Sequence, residues 1–277
     1  MNTIRAYQIC EDIMKHHSKT FYAAFSRLPE DERRAVAAVY AFCRKADDIV
    51  DEGSTPVESL AEFKKETGQF FSGSLPNEDP LWTALRDASV RFSFSSAPFF
   101  DMLKGQQMDI DERSFQTMED ILDYSYHVAG TVGVMLLPIL APNRQEELYE
   151  GAVKLGNAMQ ITNILRDIGE DLEKGRLYLP RDLMNKHGLT EAVLQAGVAD
   201  SSFIGVWEEM AGAANKYYEE ASETLALYPS SSRFPVMAAA LFYQAILEEV
   251  RTNQYDVFTR RNHVSHDKKQ QILSFIS

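Results

Sequence analysis

Apolar residues recur at helical spacing along almost the whole chain, and the strict alternation that marks a half-buried strand is nearly absent. A chain patterned this way buries its apolar stripes by packing helix on helix. Pro29 followed by EDERRAVAAVYAFCRKADDIV reads as a helix start with acid in its first turn, and GSTP at 53–56 ends that helix. A polar loop, GSLPNEDP, occupies 73–80. Helical stretches are expected over about 81–95, 98–109, 115–140 and 144–172, then 201–227 and 234–255, with EKGRLYLP at 173–180 and YPSSSRFP at 228–235 as breaks. No composition shift, low-complexity linker or fixed-period repeat divides the chain. The expectation is one all-α domain over residues 1–277, with too many helices for a four-helix bundle, arranged around a central cavity.

Several classes are excluded at this level. The longest apolar run, VAGTVGVMLLPILAP at 128–142, is shorter than the roughly 17–25 residues of a membrane span and reads as a buried core helix. The segment KKQQILSFIS at the carboxy terminus is too short and polar to span a bilayer. The opening MNTIRAYQICEDIMKHH has no unbroken apolar core of the secretory kind, so a cytoplasmic protein is expected. Cys10 and Cys43 are far apart and make neither a disulfide scaffold nor a thiolate zinc site. The chain has 41 acidic against 28 basic residues and a formal net charge of −13, which argues against a nucleic-acid binder. It does not argue against a phosphate ligand, because divalent metal ions can join acid to phosphate.

Two acidic constellations carry chemistry. In Asp47-Asp48-Ile49-Val50-Asp51 the residues Asp47 and Asp51 are four apart on one helix face, where like charges repel. Alone, such a pair is also what a solvated helix end shows. In QITNILRDIGEDLEKGR, Gln160, Asn163, Asp167 and Asp171 fall at spacings of three, four and four on one face. Their neighbours Ile161, Ile164, Leu165 and Ile168 are apolar, so the stripe is expected inside the protein, where carboxylates need partners. An all-oxygen ligand set suits Mg²⁺ rather than zinc or copper. Arg44 and Lys45 precede the first cluster, Arg166 lies within the second and Arg176 follows it. Arginine pairs with phosphate in bidentate fashion, so carboxylates, Mg²⁺ and arginines together describe a diphosphate clamp. No Glu-x-x-His, complete calcium loop, Walker sequence, GxSxG or GxGxxG occurs, and AGTVG at 129–133 reads as close helix packing.

With HSKTF at 17–21, YAFCRKADDIVDE at 40–52, YHVAGTVG at 126–133 and QITNILRDIGEDLEKGRLYLP at 160–180 in this order, the chain resembles the squalene/phytoene synthase family of head-to-head prenyl transferases. More narrowly, it resembles the bacterial C30 dehydrosqualene synthases. The resemblance implies the isoprenoid synthase fold. It implies Asp47, Asp51, Asn163, Asp167 and Asp171 as Mg²⁺ ligands, with two or three ions. It places His17, Ser18, Lys19, Thr20, Phe21, Tyr40, Arg44, Gln160, Arg166, Arg176 and Tyr243 against the substrate. Asp47, Asp51, Asp167, Asp171, Arg166 and Tyr126 are the implied catalytic set. Ser18 and Thr20 could equally be helix caps, and both Tyr40 and Tyr243 core residues.

The implied reaction joins two farnesyl diphosphates 1-1′ through a cyclopropylcarbinyl diphosphate to dehydrosqualene, on the way to C30 carotenoids. Two geranylgeranyl diphosphates, giving phytoene, are the alternative. Squalene synthases quench the last cation with hydride from NADPH and usually carry a carboxy-terminal membrane segment, which is not seen here, so proton loss without nicotinamide is expected. Phe21, Phe25, Tyr40, Val132 and Leu136 are candidates for a dry lining. Transient membrane contact would suit an apolar product. The competing reading from another class is a non-catalytic acidic adaptor, disfavoured by the apolar neighbours of the 160–171 stripe. A terpene cyclase of the same fold is a third.

Overall fold

The computed structural model describes residues 2–75 and 79–276, and Pro76, Asn77 and Glu78 of the expected polar loop lie outside them. The described residues contain no strand. Among the described residues fourteen α-helices run in the order α1 (Thr3–His17), α2 (Lys19–Phe25), α3 (Glu30–Asp51), α4 (Pro56–Phe71), α5 (Pro80–Arg91), α6 (Ala97–Ile110), α7 (Met118–Ser125), α8 (Thr131–Leu140), α9 (Gln145–Glu173), α10 (Arg181–His187), α11 (Glu191–Gln195), α12 (Ser201–Ser222), α13 (Ser230–Thr252) and α14 (His266–Ile276). The starts follow local chemistry. Pro29 precedes α3, whose first turn holds Glu30, Asp31 and Glu32 at the positive end of the helix dipole. Thr117 and Asp120 close a reciprocal capping box on α7, and the Asp200 carboxylate accepts from the Ser202 and Phe203 amides at the start of α12.

The helices expected over 81–95 and 201–227 end earlier, at Arg91 and Ser222, and two further differences from the sequence expectation have a packing reason. The single helix expected over 115–140 is α7, a π-turn over Tyr126–Gly130, and α8. The π-turn lies directly on α9: a Cβ on Gly156 would stand 2.4 Å from the Ala129 carbonyl oxygen, and one on Gly133 would stand 2.5 Å from that of Ala152. The glycines of AGTVG therefore do serve close packing. The turn expected over 228–235 is shorter, because α13 starts at Ser230 and includes Pro235. Pro235 and Val236 are buried, and their packing outweighs the one hydrogen bond that proline removes.

The core has two parts. In one, Phe42 of α3 packs against Phe63 at 5.0 Å and edge-to-face on Phe99 at 4.9 Å, with Trp82 beside them. In the other, Trp207 of α12 is fully buried and donates Nε1–H to the Leu165 carbonyl at 3.1 Å. The cavity opens where α3, α6, α8, α9 and α13 converge. The apolar run 128–142 sits in the π-turn and α8, with Met135–Leu140 buried. Among the described residues no helix is long and apolar enough to cross a membrane.

Candidate active site

The cavity holds about 1290 Å³ and changes character along α9. Ala152, Leu155, Gly156 and Met159 line its apolar part; Gln160, Asn163, Asp167 and Asp171 line the polar part, over about 17 Å of helix. Across from them α3 presents Tyr40, Arg44, Asp47 and Asp51. Both acidic motifs occupy the C-terminal stretch of their helix, where the macrodipole disfavours anions. Carboxylates packed there need countercharge.

Basic side chains supply part of it. Arg176 Nη1 reaches Asp51 Oδ1 at 2.5 Å and Lys174 Nζ reaches Oδ2 at 3.3 Å. Burial would raise the Asp51 carboxyl, but these two cations outweigh it and hold it below the usual range. Arg166 chelates Asp167 through Nε–Oδ1 at 2.8 Å and Nη2–Oδ2 at 2.5 Å. Arg44 pairs with Asp48 and, at 3.3 Å, with Glu52. Among the described residues Asp47 accepts only from Gln106 Nε2, at 2.6 Å, and burial pushes its carboxyl up to about 7, opposed by Arg44 and helped by Asp51. Burial and the Asp167 charge push Asp171 up to about 7 as well, and no hydrogen bond reaches its carboxylate among the described residues.

The donor set fits a hard cation. The Asn163 Oδ1 atom is buried and accepts no hydrogen bond, although its amide donates to Gln160 Oε1 at 3.4 Å. That oxygen and the Asp171 carboxylate both face the cavity without a partner. Among the described residues no three of His, Cys, Asp and Glu gather into one preformed cage. This suits an ion that takes one or two protein oxygens and fills its shell from water and phosphate.

The amino-terminal segment closes the polar end. Ser18 caps α2, its Oγ accepting from the Phe21 amide at 3.2 Å, and Thr20 Oγ1 accepts from Lys269 Nζ at 2.9 Å. Burial lowers the His17 imidazole, with Arg44 adding to the effect. His17, Ser18, Lys19, Thr20, Phe21, Tyr40, Arg44, Gln160, Arg166, Arg176 and Tyr243 all line the one cavity with the five proposed ligands. So do Phe25, Val132 and Leu136.

Sequence comparison agrees with this geometry. The model of the squalene/phytoene synthase family matches residues 14–268. The chain belongs to that family. Members of the squalene/phytoene synthase family are head-to-head prenyltransferases, and the bundle is the isoprenoid synthase fold. The phytoene synthase of Arthrospira platensis is 37% identical, covering 97% of this chain and 91% of its own. Phytoene synthase 2 of Solanum lycopersicum is 37% identical over 95% of this chain and 87% of its own. A crystal structure of a dehydrosqualene synthase in complex with ligand superposes with a TM-score of 0.95 at 40% identity, covering 99% of this chain and 96% of that one.

In this member of the family, one expected residue stands apart. Tyr126 does not line the cavity; its hydroxyl donates to Asp101 at 3.3 Å and lies 3.5 Å from the Tyr149 hydroxyl. Tyr124 takes its place, because residues two apart point to nearly opposite sides of a helix. The Tyr124 and Tyr178 hydroxyls donate to Asp109 at 2.9 and 2.7 Å, and their rings stack at 5.1 Å. Burial raises the Asp109 carboxyl against these two hydrogen bonds. Asp109, Gln106, Tyr178, Lys174, Arg261 and Lys269 also face the cavity and had no expected task. One signal was available: Gln106 shares a helical stripe with Phe99, Met102 and Leu103, where an amide is out of place.

Proposed function

We propose that the chain joins two farnesyl diphosphates head to head to give dehydrosqualene, with Mg²⁺ and without nicotinamide. The observation that carries the reading is the pairing of two acidic helix faces, α3 and α9, across one cavity that also has an apolar part. The choice of farnesyl rests on the likeness to the dehydrosqualene synthase structure. A second reading, phytoene from two geranylgeranyl diphosphates, is favoured by the relatives named phytoene synthases.

Asp47, Asp51, Asn163, Asp167 and Asp171 would hold Mg²⁺, which would stabilise the charge of the departing diphosphate. Arg44, Arg166, Arg176, His17 and Lys19 would bind diphosphate oxygens by charge-assisted hydrogen bonds. Gln160, Ser18 and Thr20 would position the same groups. Once the first donor ionises, the C2–C3 double bond of the second attacks its allylic C1, and proton loss closes a cyclopropane. Ionisation of that diphosphate, rearrangement to the 1-1′ bond and loss of a further proton complete the product. Phe21, Tyr40 and Tyr243 would present ring faces to the cations, while Val132 and Leu136 exclude water. Because the product is apolar, release through transient membrane contact belongs to the proposal.

The test is incubation of purified protein with Mg²⁺ and either prenyl diphosphate, with and without NADPH, followed by mass analysis. A C30 hydrocarbon carrying a central double bond, formed without NADPH, is expected. A C40 product would replace farnesyl by geranylgeranyl diphosphate. No hydrocarbon from either donor would refute the enzymatic reading.

A further inference from the structure

Asp167 is bound by two guanidinium groups at once. Arg166 occupies both of its oxygens, and Arg261 adds Nε–Oδ1 at 3.1 Å and Nη2–Oδ2 at 3.2 Å. Arg261 also reaches Glu170 Oε2 at 3.6 Å. A carboxylate held this way cannot accept a metal ion until an arginine leaves. The two are unequal. The Arg166 side chain is 14% exposed and packed into the wall, whereas that of Arg261 is 61% exposed and reaches Asp167 from the solvent side.

The backbone beneath Arg261 is fixed. The segment between α13 and α14 lies on α9 at Gly169, where a Cβ would stand 2.5 Å from the Val257 carbonyl oxygen and 2.8 Å from the Phe258 Cα. Asn262 is buried, accepts from Asn253 at 2.8 Å and donates to the Asp256 carbonyl at 2.8 Å. Val257 and Val264 are buried on either side. A closely packed loop thus carries one exposed cation to the acidic face. Lys19 and Lys269 line the same cavity, so a side chain released from Asp167 has cationic neighbours that a bound diphosphate would neutralise.

We propose that Arg261 is a resident counter-ion of Asp167 which exchanges from that carboxylate to the substrate diphosphate when the metal enters. This rests on the prenyl diphosphate reading above. Arg261 competes with Mg²⁺ for Asp167, yet cooperates with it in holding diphosphate, so its removal moves two affinities in opposite directions.

The experiment is calorimetric titration of the whole protein with Mg²⁺ alone, and then with inorganic pyrophosphate at saturating Mg²⁺. Arg261→Gln is expected to bind Mg²⁺ alone about 3-fold more tightly, the scale of an exposed ion pair removed. The same variant is expected to bind Mg²⁺-pyrophosphate about tenfold more weakly, the scale of a charge-assisted hydrogen bond lost. Arg261→Lys keeps the charge without the fork and is expected between the two proteins in both titrations. It also carries the test should Arg261→Gln fail to fold. Both affinities falling together, or neither moving, in a folded variant overturns the exchange. Absence of Mg²⁺ and pyrophosphate binding in the unaltered protein overturns the diphosphate reading itself.

Discussion

Consider the metal-free protein titrated with Mg²⁺ at pH 6, 7 and 8. Asp47 and Asp171 face the cavity from opposite helices, and burial pushes each carboxyl up to about 7. Each must lose its proton to bind a cation. At pH 6 about one in eleven copies of such a group is ionised, and at pH 8 about ten in eleven. Mg²⁺ affinity therefore rises about tenfold per carboxylate from pH 6 to pH 8, or about 100-fold where both ligate. At pH 7 binding releases about half a proton from each. Stability runs the other way. A carboxyl whose folded pKa exceeds its unfolded value stabilises the fold fully below about pH 4, and that contribution is lost as pH rises through about 7. The metal-free melting temperature should thus fall between pH 5 and pH 8, and Mg²⁺ should restore it at pH 8. Asp51, held low by Arg176 and Lys174 despite burial, contributes stability that is lost only at more acid pH, outside this window. Calorimetry in buffers of different ionisation enthalpy reads affinity and proton release together, and Asp47→Asn should remove about one of the two tenfold factors. Equal affinity at pH 6 and pH 8 with no proton release would refute the reasoning.

Three further outcomes are expected. Asp167→Ala should abolish turnover with the helical circular dichroism unchanged, and full activity would remove Asp167 from the ligand set. Tyr124→Phe leaves one oxygen of half-buried Asp109 without its donor and should cost about 1–3 kcal/mol of stability and lower kcat/KM, whereas Tyr126→Phe should stay within about 0.5 kcal/mol and keep activity; the reverse order would put Tyr126 back at the site. Gly156→Ala drives a methyl to 2.4 Å from the Ala129 carbonyl oxygen and should cost about 1–3 kcal/mol in denaturant unfolding, while Gly212→Ala meets nothing within 4 Å and should gain about 0.5–1 kcal/mol from helix propensity.

The acidic stripe of α9 was legible because its information is local: spacings of three and four put Gln160, Asn163, Asp167 and Asp171 on one face whatever the rest of the chain does. The long helices were legible for the same reason. Asp109 and Tyr178 were not, since a lone acid and a lone tyrosine acquire meaning only when two elements 69 residues apart bring them within 2.7 Å. Arg261 is 94 residues from Asp167, in a segment with no helical pattern. Tyr126 stands outside the cavity lining, a position its motif does not reveal because it fixes the segment but not which side of the helix faces inward. The net charge of −13 was informative about partners and silent about how the site manages its acid. There, Arg166, Arg176, Lys174 and Arg261 are paired with the carboxylates.

The π-turn at Tyr126–Gly130 ties two walls of the cavity to a residue count. A π-turn is an α-helix with one residue inserted, and each residue advances the helix by about 100°. Tyr124 lies before it, and Val132 and Leu136 lie after it, all three facing inward. Deleting any one residue between 126 and 130 would restore a regular helix. It would also rotate one of those walls by about a quarter-turn, exposing the aromatic or the aliphatic side to the wrong neighbour. In this segment an insertion or deletion is therefore a harsher change than almost any substitution, and the length of the stretch is under as much constraint as its residues.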